Sequence, residues 1–290
     1  MRNKKEKEIV VFPNREESKR AKEIINQTRV AFEPIAPPES FLDVASEVFI
    51  FSQEDRPRIE LAISNKNLAV SGFIDYKPAS ILPQKLRRDN IRASLLKDIN
   101  ITFVARCIAD PKKIRLIAYF SNNVVEVFPY LNAVMKNATY NKEGPTLNFS
   151  KERRMVNIYS HKIAIAKADE IVDAWQILAY IKDLINNTYN KKDSIVPNYE
   201  RKVRATALEI YGWLPKINCK QCSETTCLAF AVKLLLGEQN IINCKPLFTK
   251  RYEDKKRIML DIVEALGYEV PEDLKKGPDS KYYRRNCINN

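Results

Sequence analysis

The sequence predicts an α+β fold: one or two small α/β units followed by a mostly helical module. Three observations lead there. Runs rich in β-branched and aromatic residues, such as "INITFVAR" and "IRLIAYFS", recur through the first two thirds of the chain. Between them lie stretches with helical periodicity, of which "DEIVDAWQILAYIKDLINNTY" is the longest. Beyond residue 199 the apolar residues recur at helical spacing, interrupted by a cluster of cysteines.

In order along the chain, the apolar run Ile9–Phe12 precedes "NREESKRAKEII", where Asn14 is a plausible N-cap with Glu17 three residues on. Prolines 34, 37 and 38 punctuate "EPIAPPESF". Strand-like runs follow at Glu47–Ser52, Arg58–Ser64 and Leu68–Tyr76, then a basic segment to about Lys97. Residues 1–98 are read as an N-terminal α/β unit. In the next unit, 99–190, Ser121 can cap a segment in which Pro129 sits near a helix start. "RMVNIYSHKIAIAKA" alternates as a hairpin does, with Ser160–His161 at the turn. A helix capped by Asp169 then carries Ile171, Ala174, Trp175, Leu178, Ile181 and Ile185 on one face. "NKKDSIVPN" has the composition of a linker. The helical module spans 199–267. One helix there should end at Gly212, and another should run from Thr249 to Gly267. Residues 268–290 read as a weakly structured tail.

The chain has 290 residues, 45% hydrophobic and 29% charged, as in a soluble globular protein. No apolar run approaches the roughly 18–20 residues that span a bilayer. The start, "MRNKKEKEIVVFP", lacks the apolar core of a secretory signal. A cytoplasmic location is therefore expected, where thiols stay reduced and clustered cysteines hold metal more often than disulfides. The net charge of +13 is spread thinly: +3 over residues 1–100, +4 over 101–200 and +6 over 201–290. The densest basic groups are Lys85, Arg87, Arg88 and Arg92, and the pair Arg153–Arg154. Such a spread suits solvated faces, or a surface for an acidic partner that is a protein or a nucleic acid.

Four of the six cysteines fall in "NCKQCSETTCLAFAVKLLLGEQNIINCKPL", spaced C-x2-C-x4-C-x16-C at Cys219, Cys222, Cys227 and Cys244. Two thiolates three residues apart reach one centre from a tight loop. Thr225 or Thr226 should cap a helix ending at Gly237, with Cys227 in its first turn at the positive end of the helix dipole. An eleven-residue helix advances about 16 Å, and seven extended residues return about 23–25 Å, so Cys244 can close on the same centre. Zinc is the rival ligand. Four-cysteine zinc sites, however, favour two short C-x2–4-C pairs, and here there is one. A [4Fe–4S] cube accepts ligands from a loop, a helix start and a distal return.

"WLPKINCKQCSETTCLAFAVKLLLGEQNIINCKPLF" resembles the four-cysteine iron–sulfur domain of the corrinoid iron–sulfur protein large subunit, which works with acetyl-CoA synthase/decarbonylase. The same domain type occurs in the B subunit of Rnf complexes. Leu214–Pro215, the cysteine spacings, "TC-x-x-FA" at 226–231 and Gly237 carry the resemblance, which covers about residues 210–249. It implies that Cys219, Cys222, Cys227 and Cys244 bind a [4Fe–4S] cluster that passes electrons singly at low potential. The family usually has glycine after the first two cysteines and proline after the fourth; Lys220, Ser223 and Lys245 stand there. With Lys216, these lysines should raise the potential by stabilising the reduced cluster.

Other chemistries find little support. The single histidine, His161, does not fit the Asp-x-His-x-x-Gly pattern of histidine-ligated corrinoid proteins, and a histidine at a hairpin turn is usually a surface residue. There is no G-x-G-x-x-G and no P-loop. Cys107 reads as a buried structural thiol, with a role beside the cluster as the alternative. Cys287 lies in the tail among basic neighbours. The expected function is single-electron transfer to a partner metalloenzyme or corrinoid protein in oxygen-sensitive metabolism. The alternatives are an oxidoreductase or activating enzyme using the cluster on a small molecule, and a nucleic-acid-associated module with a structural metal.

Overall fold

A computed structural model describes residues 6–79, 94–135, 137–200 and 205–266, with 270 and 274. The basic segment 85–92, most of the tail and Cys287 lie outside the described residues. The first unit runs β1 (Lys7–Val11), α1 (Arg15–Gln27), β2 (Phe32–Ile35), β3 (Val48–Ser52), α2 (Arg56–Asn65) and β4 (Gly72–Asp75). Its sheet order is β2-β3-β1-β4 with every neighbour antiparallel, the split βαβ arrangement called ferredoxin-like. The Asn14 side chain accepts from the Glu17 N–H at 2.9 Å and starts α1. Strands β1 and β3 read as unbroken apolar runs because both faces are covered. Val10, Phe49 and Phe51 pack on Ala21, Ile25, Ile59 and Ile63 of the helices. Ile9, Val11, Val48 and Ile50 face the other way, into the largest core.

Two sequence expectations fail here for clear reasons. Arg58–Ser64 is helical, not extended: Pro57 sits in the first turn of α2, and Ile59 and Ile63, one helical step apart, are its buried residues. Residues 32–35, taken as proline-punctuated loop, form a strand, because β2 lies at the sheet edge where Pro34 forfeits no central ladder bond.

The second sheet comprises β5 (Ile99–Arg106), β6 (Ile114–Phe120), β7 (Thr139–Asn141), β8 (Thr146–Lys151), β9 (Arg154–Ile158) and β10 (Lys162–Ala168), in the order β5-β6-β10-β9-β8-β7, all antiparallel. Helices α3 (Phe128–Val134) and α4 (Ile171–Asn190) belong to the same unit. Trp175, Leu178, Ile181 and Ile185 of α4 are fully buried and join residues of both sheets in one core. The sheets meet where β4 approaches β5: a Cβ on Gly72 would lie 2.2 Å from the Val104 carbonyl oxygen. The hairpin expected at Ser160–His161 is present. The cap of α4 is Glu170, not Asp169; its carboxylate accepts from the Val172 and Asp173 N–H groups. Asp169 instead pairs with Lys113 and Arg153. Ser121 caps no helix, since its hydroxyl accepts from the Lys97 N–H at 2.9 Å.

The segment after α4 is pinned: the Asn132 side chain, fully buried, donates to the carbonyls of Asn198 and Glu200, both at 2.9 Å. Beyond it come α5 (Ala207–Trp213), α6 (Cys227–Leu235) and α7 (Glu253–Ala265), around a separate core that includes Ile210, Leu214, Phe230, Leu247, Met259 and Val263. Helix α5 passes through Gly212 and is capped at Leu214. Helix α7 begins at Glu253, after a short 3-10 turn, not at Thr249. Gly237, just past α6, adopts φ +78° and presses on the β8–β9 turn, where an added Cβ would meet the Glu152 carbonyl oxygen at 2.6 Å. Lys167 pairs with Glu238 at 2.9 Å beside this contact.

Candidate metal centre

Residues 214–227 form a coil held between α5 and α6. The Thr226 hydroxyl accepts from the Ala229 N–H at 3.0 Å and starts α6, so Cys227 is its first residue. The Cys227 N–H donates to the Asn218 side chain at 2.8 Å, tying the loop to the helix end. Within the loop, Lys216, Asn218, Lys220 and Ser223 all have positive φ, between 47° and 66°. The Ser223 N–H closes a turn on the Lys220 carbonyl at 2.9 Å. Cys244 arrives between two 3-10 turns, 241–243 and 245–248, the second begun with Pro246. Cys219, Cys222, Cys227 and Cys244 thereby line one narrow, partly open pocket, with Leu214, Pro215 and Phe230 among its apolar walls.

Electrostatics show the same convergence. Burial pushes the Cys244 thiol up to about 11, with further upward pressure from Cys227, Cys222 and Cys219 and an opposing hydrogen bond from the Leu247 backbone. Cys244 and Cys227 are buried, and Cys219 and Cys222 are half-buried; all are free thiols. Four thiols facing one another in an apolar pocket cannot all ionise unless a cation compensates them. The donor set thus fits a thiolate-bound metal group. Among the described residues, no group of three or more His, Cys, Asp or Glu is arranged to hold a single metal ion.

A second set of residues secures the ligand loop, and the sequence reading missed it. Glu224 is 8% exposed and accepts from Lys233 of α6 and from the Gln239 side chain, both at 2.9 Å. Gln239 also donates to the Cys222 carbonyl at 3.1 Å. These contacts, Lys233 first, hold the Glu224 carboxyl below its ordinary range. Separations of 9 and 15 residues leave no local pattern that would announce such a clamp.

Other candidates lie elsewhere. Cys107 is buried but is not part of the cysteine pocket. Burial pushes its thiol up, yet the N–H groups of Asp110, Ala109 and Lys167 outweigh this and lower it. His161 is exposed at the hairpin turn. Arg154, half of a basic pair in the sequence, is 6% exposed and bonds Asp173 through Nε at 2.9 Å. It belongs to no basic surface.

Comparison with known proteins gives the segment a family. Residues 214–246 match the family model described as "Putative Fe-S cluster". The chain is 40% identical over 67 residues to the acetyl-CoA decarbonylase/synthase complex subunit gamma of Methanocaldococcus jannaschii, covering 23% of this chain and 14% of that protein. The corresponding subunit of Methanothermobacter thermautotrophicus is 30% identical over 83 residues, 28% of this chain and 18% of that one. The corrinoid/iron-sulfur protein large subunit of Moorella thermoacetica is 51% identical over 39 residues, 13% and 9% of the two chains. The chain thus spans less than a fifth of the length of each of these relatives. No solved structure matches it significantly. Among the described residues, no helix is long and apolar enough to cross a membrane.

Proposed function

We propose that Cys219, Cys222, Cys227 and Cys244 hold one [4Fe–4S] cluster and that the protein passes single electrons to a partner protein. The observation that carries the reading is the lining of one pocket by four thiols from a loop, a helix start and a distal return. When bound, the cluster supplies one-electron chemistry at a potential set by its surroundings. The chain's own residues bind and orient. Thr226 and Asn218 fix Cys227, the Glu224–Gln239 clamp fixes Cys222, and Phe230 and Leu214 limit water. A tetrahedral zinc site with Zn–S near 2.3 Å needs sulfurs about 3.8 Å apart. The lack of any single-ion group among the described residues supports a larger body. The matched relatives are named as corrinoid or acetyl-CoA decarbonylase/synthase subunits, which supports a corrinoid protein or metalloenzyme as the partner. Free thiols throughout support a reducing, cytoplasmic compartment.

Protein purified without oxygen should be brown, with about four irons and four labile sulfides per chain. The double variant Cys222→Ala/Cys227→Ala should lose both. One zinc per chain and no sulfide would sink the proposal, as would a cluster retained by the double variant.

A further inference from the structure

Helix α6 is apolar on every side. Its sequence, CLAFAVKLL, holds one charge, Lys233, which is engaged by Glu224. Cys227, Phe230, Ala231 and Leu234 fill the module core. On the opposite side Leu228, Val232 and the capping residue Leu236 are 40%, 40% and 46% exposed. Spaced four apart, they form one line along the helix. A helix at a protein surface turns a polar stripe to water, and one apolar all round is normally covered. Ile217, at the cysteine pocket, and Ile242 are also more than half exposed.

Charge identifies what covers the face. Lys216, Lys220 and Lys245 around the pocket are exposed. Of the nearby carboxylates, Glu224 is buried against Lys233 and Glu238 is paired with Lys167. The surroundings of the apolar line are therefore net positive. We infer that the Leu228–Val232–Leu236 face docks an acidic electron-carrier protein, one whose apolar patch is edged with carboxylates. The inference rests on the electron-transfer reading and gives that partner a place. Docking there sets the carrier against the first turn of α6, one residue from Cys227. A small apolar centre with a charged rim suits a transient, salt-sensitive encounter.

Carbene footprinting of the anaerobically purified full chain, alone and with a reduced acidic ferredoxin as the probe, tests this. Iron and sulfide are assayed on the same sample, so loss of the cluster reading shows there and not in the footprint. In the free chain the α6 peptide should label strongly. Added ferredoxin should lower its labelling at least fivefold at low salt. The protection should vanish in 0.5 M salt and in Val232→Glu, whose folding is checked by unchanged labelling of α4. Absence of protection by ferredoxin overturns the inference. So does protection that survives Val232→Glu. Labelling already suppressed in the dilute free chain would mean that the chain covers its own face. Suppression that grows with the chain's own concentration would mean a second copy does. Either result also overturns it.

Discussion

Lys220 and Ser223 stand where the resembling family has glycine, and both adopt left-handed backbone, with φ of 60° and 66°. The glycines are thus explained by conformation: L-residues lose about 1–2 kcal/mol there. Ser223→Gly and Lys220→Gly should each stabilise the loop by about 1 kcal/mol, seen as slower cluster release to a chelator. Only Lys220→Gly removes a charge, so only it should lower the midpoint potential in a redox titration. Equal midpoints for both variants would show that Lys220 acts through backbone strain alone. At this scale the ligand spacing and the Thr226 cap were legible, because both are local patterns. Asn218, Glu224 and Gln239 were not, because each acts on a partner 9 to 17 residues away.

Among elements, long helices and strands with clean periodicity announced themselves, whereas short ones did not. Strands β7 and β8 escaped notice because their alternation is brief and broken by Gly144 and Pro145. α2 was misread because two isoleucines four apart satisfy both the helical and the even strand spacing. The contact of Gly237 with the β8–β9 turn was invisible, since a C′ glycine looks the same whether or not something presses on it. Gly237→Ala would place a Cβ 2.6 Å from a carbonyl oxygen at φ +78°. It should cost about 2 kcal/mol or more and speed hydrogen exchange at the end of α6. At the start of α4, burial pushes the Glu170 carboxyl up, against the N–H groups of Val172 and Asp173. The folded chain then holds that proton to higher pH than the unfolded one. Its contribution is full below the ordinary carboxylate value and is lost as pH rises through the raised value. Glu170→Gln, which keeps an accepting oxygen, should flatten the decline in urea midpoint across that window.

Across the whole molecule the cores are unequal partners. The two sheets share a core built from α4 and both β-units, while residues 205–266 have their own, with Cys227 and Cys244 inside it. The smaller core thus includes metal-binding groups, and removing the metal withdraws the counter-charge that holds four thiols together. Binding free energy at such a site is folding free energy. The sheets depend on nothing in the pocket, and their contact with the module is local, at Gly237 and the Lys167–Glu238 pair. Anaerobic removal of iron should therefore raise hydrogen exchange across α5, α6 and α7 by at least tenfold. Exchange in β1, β3, β6 and α4 should stay within about twofold of the untreated protein, because their buried contacts are unchanged. Protection lost equally in both regions would mean that the cluster organises the entire chain, and the cores would have to be treated as one cooperative unit.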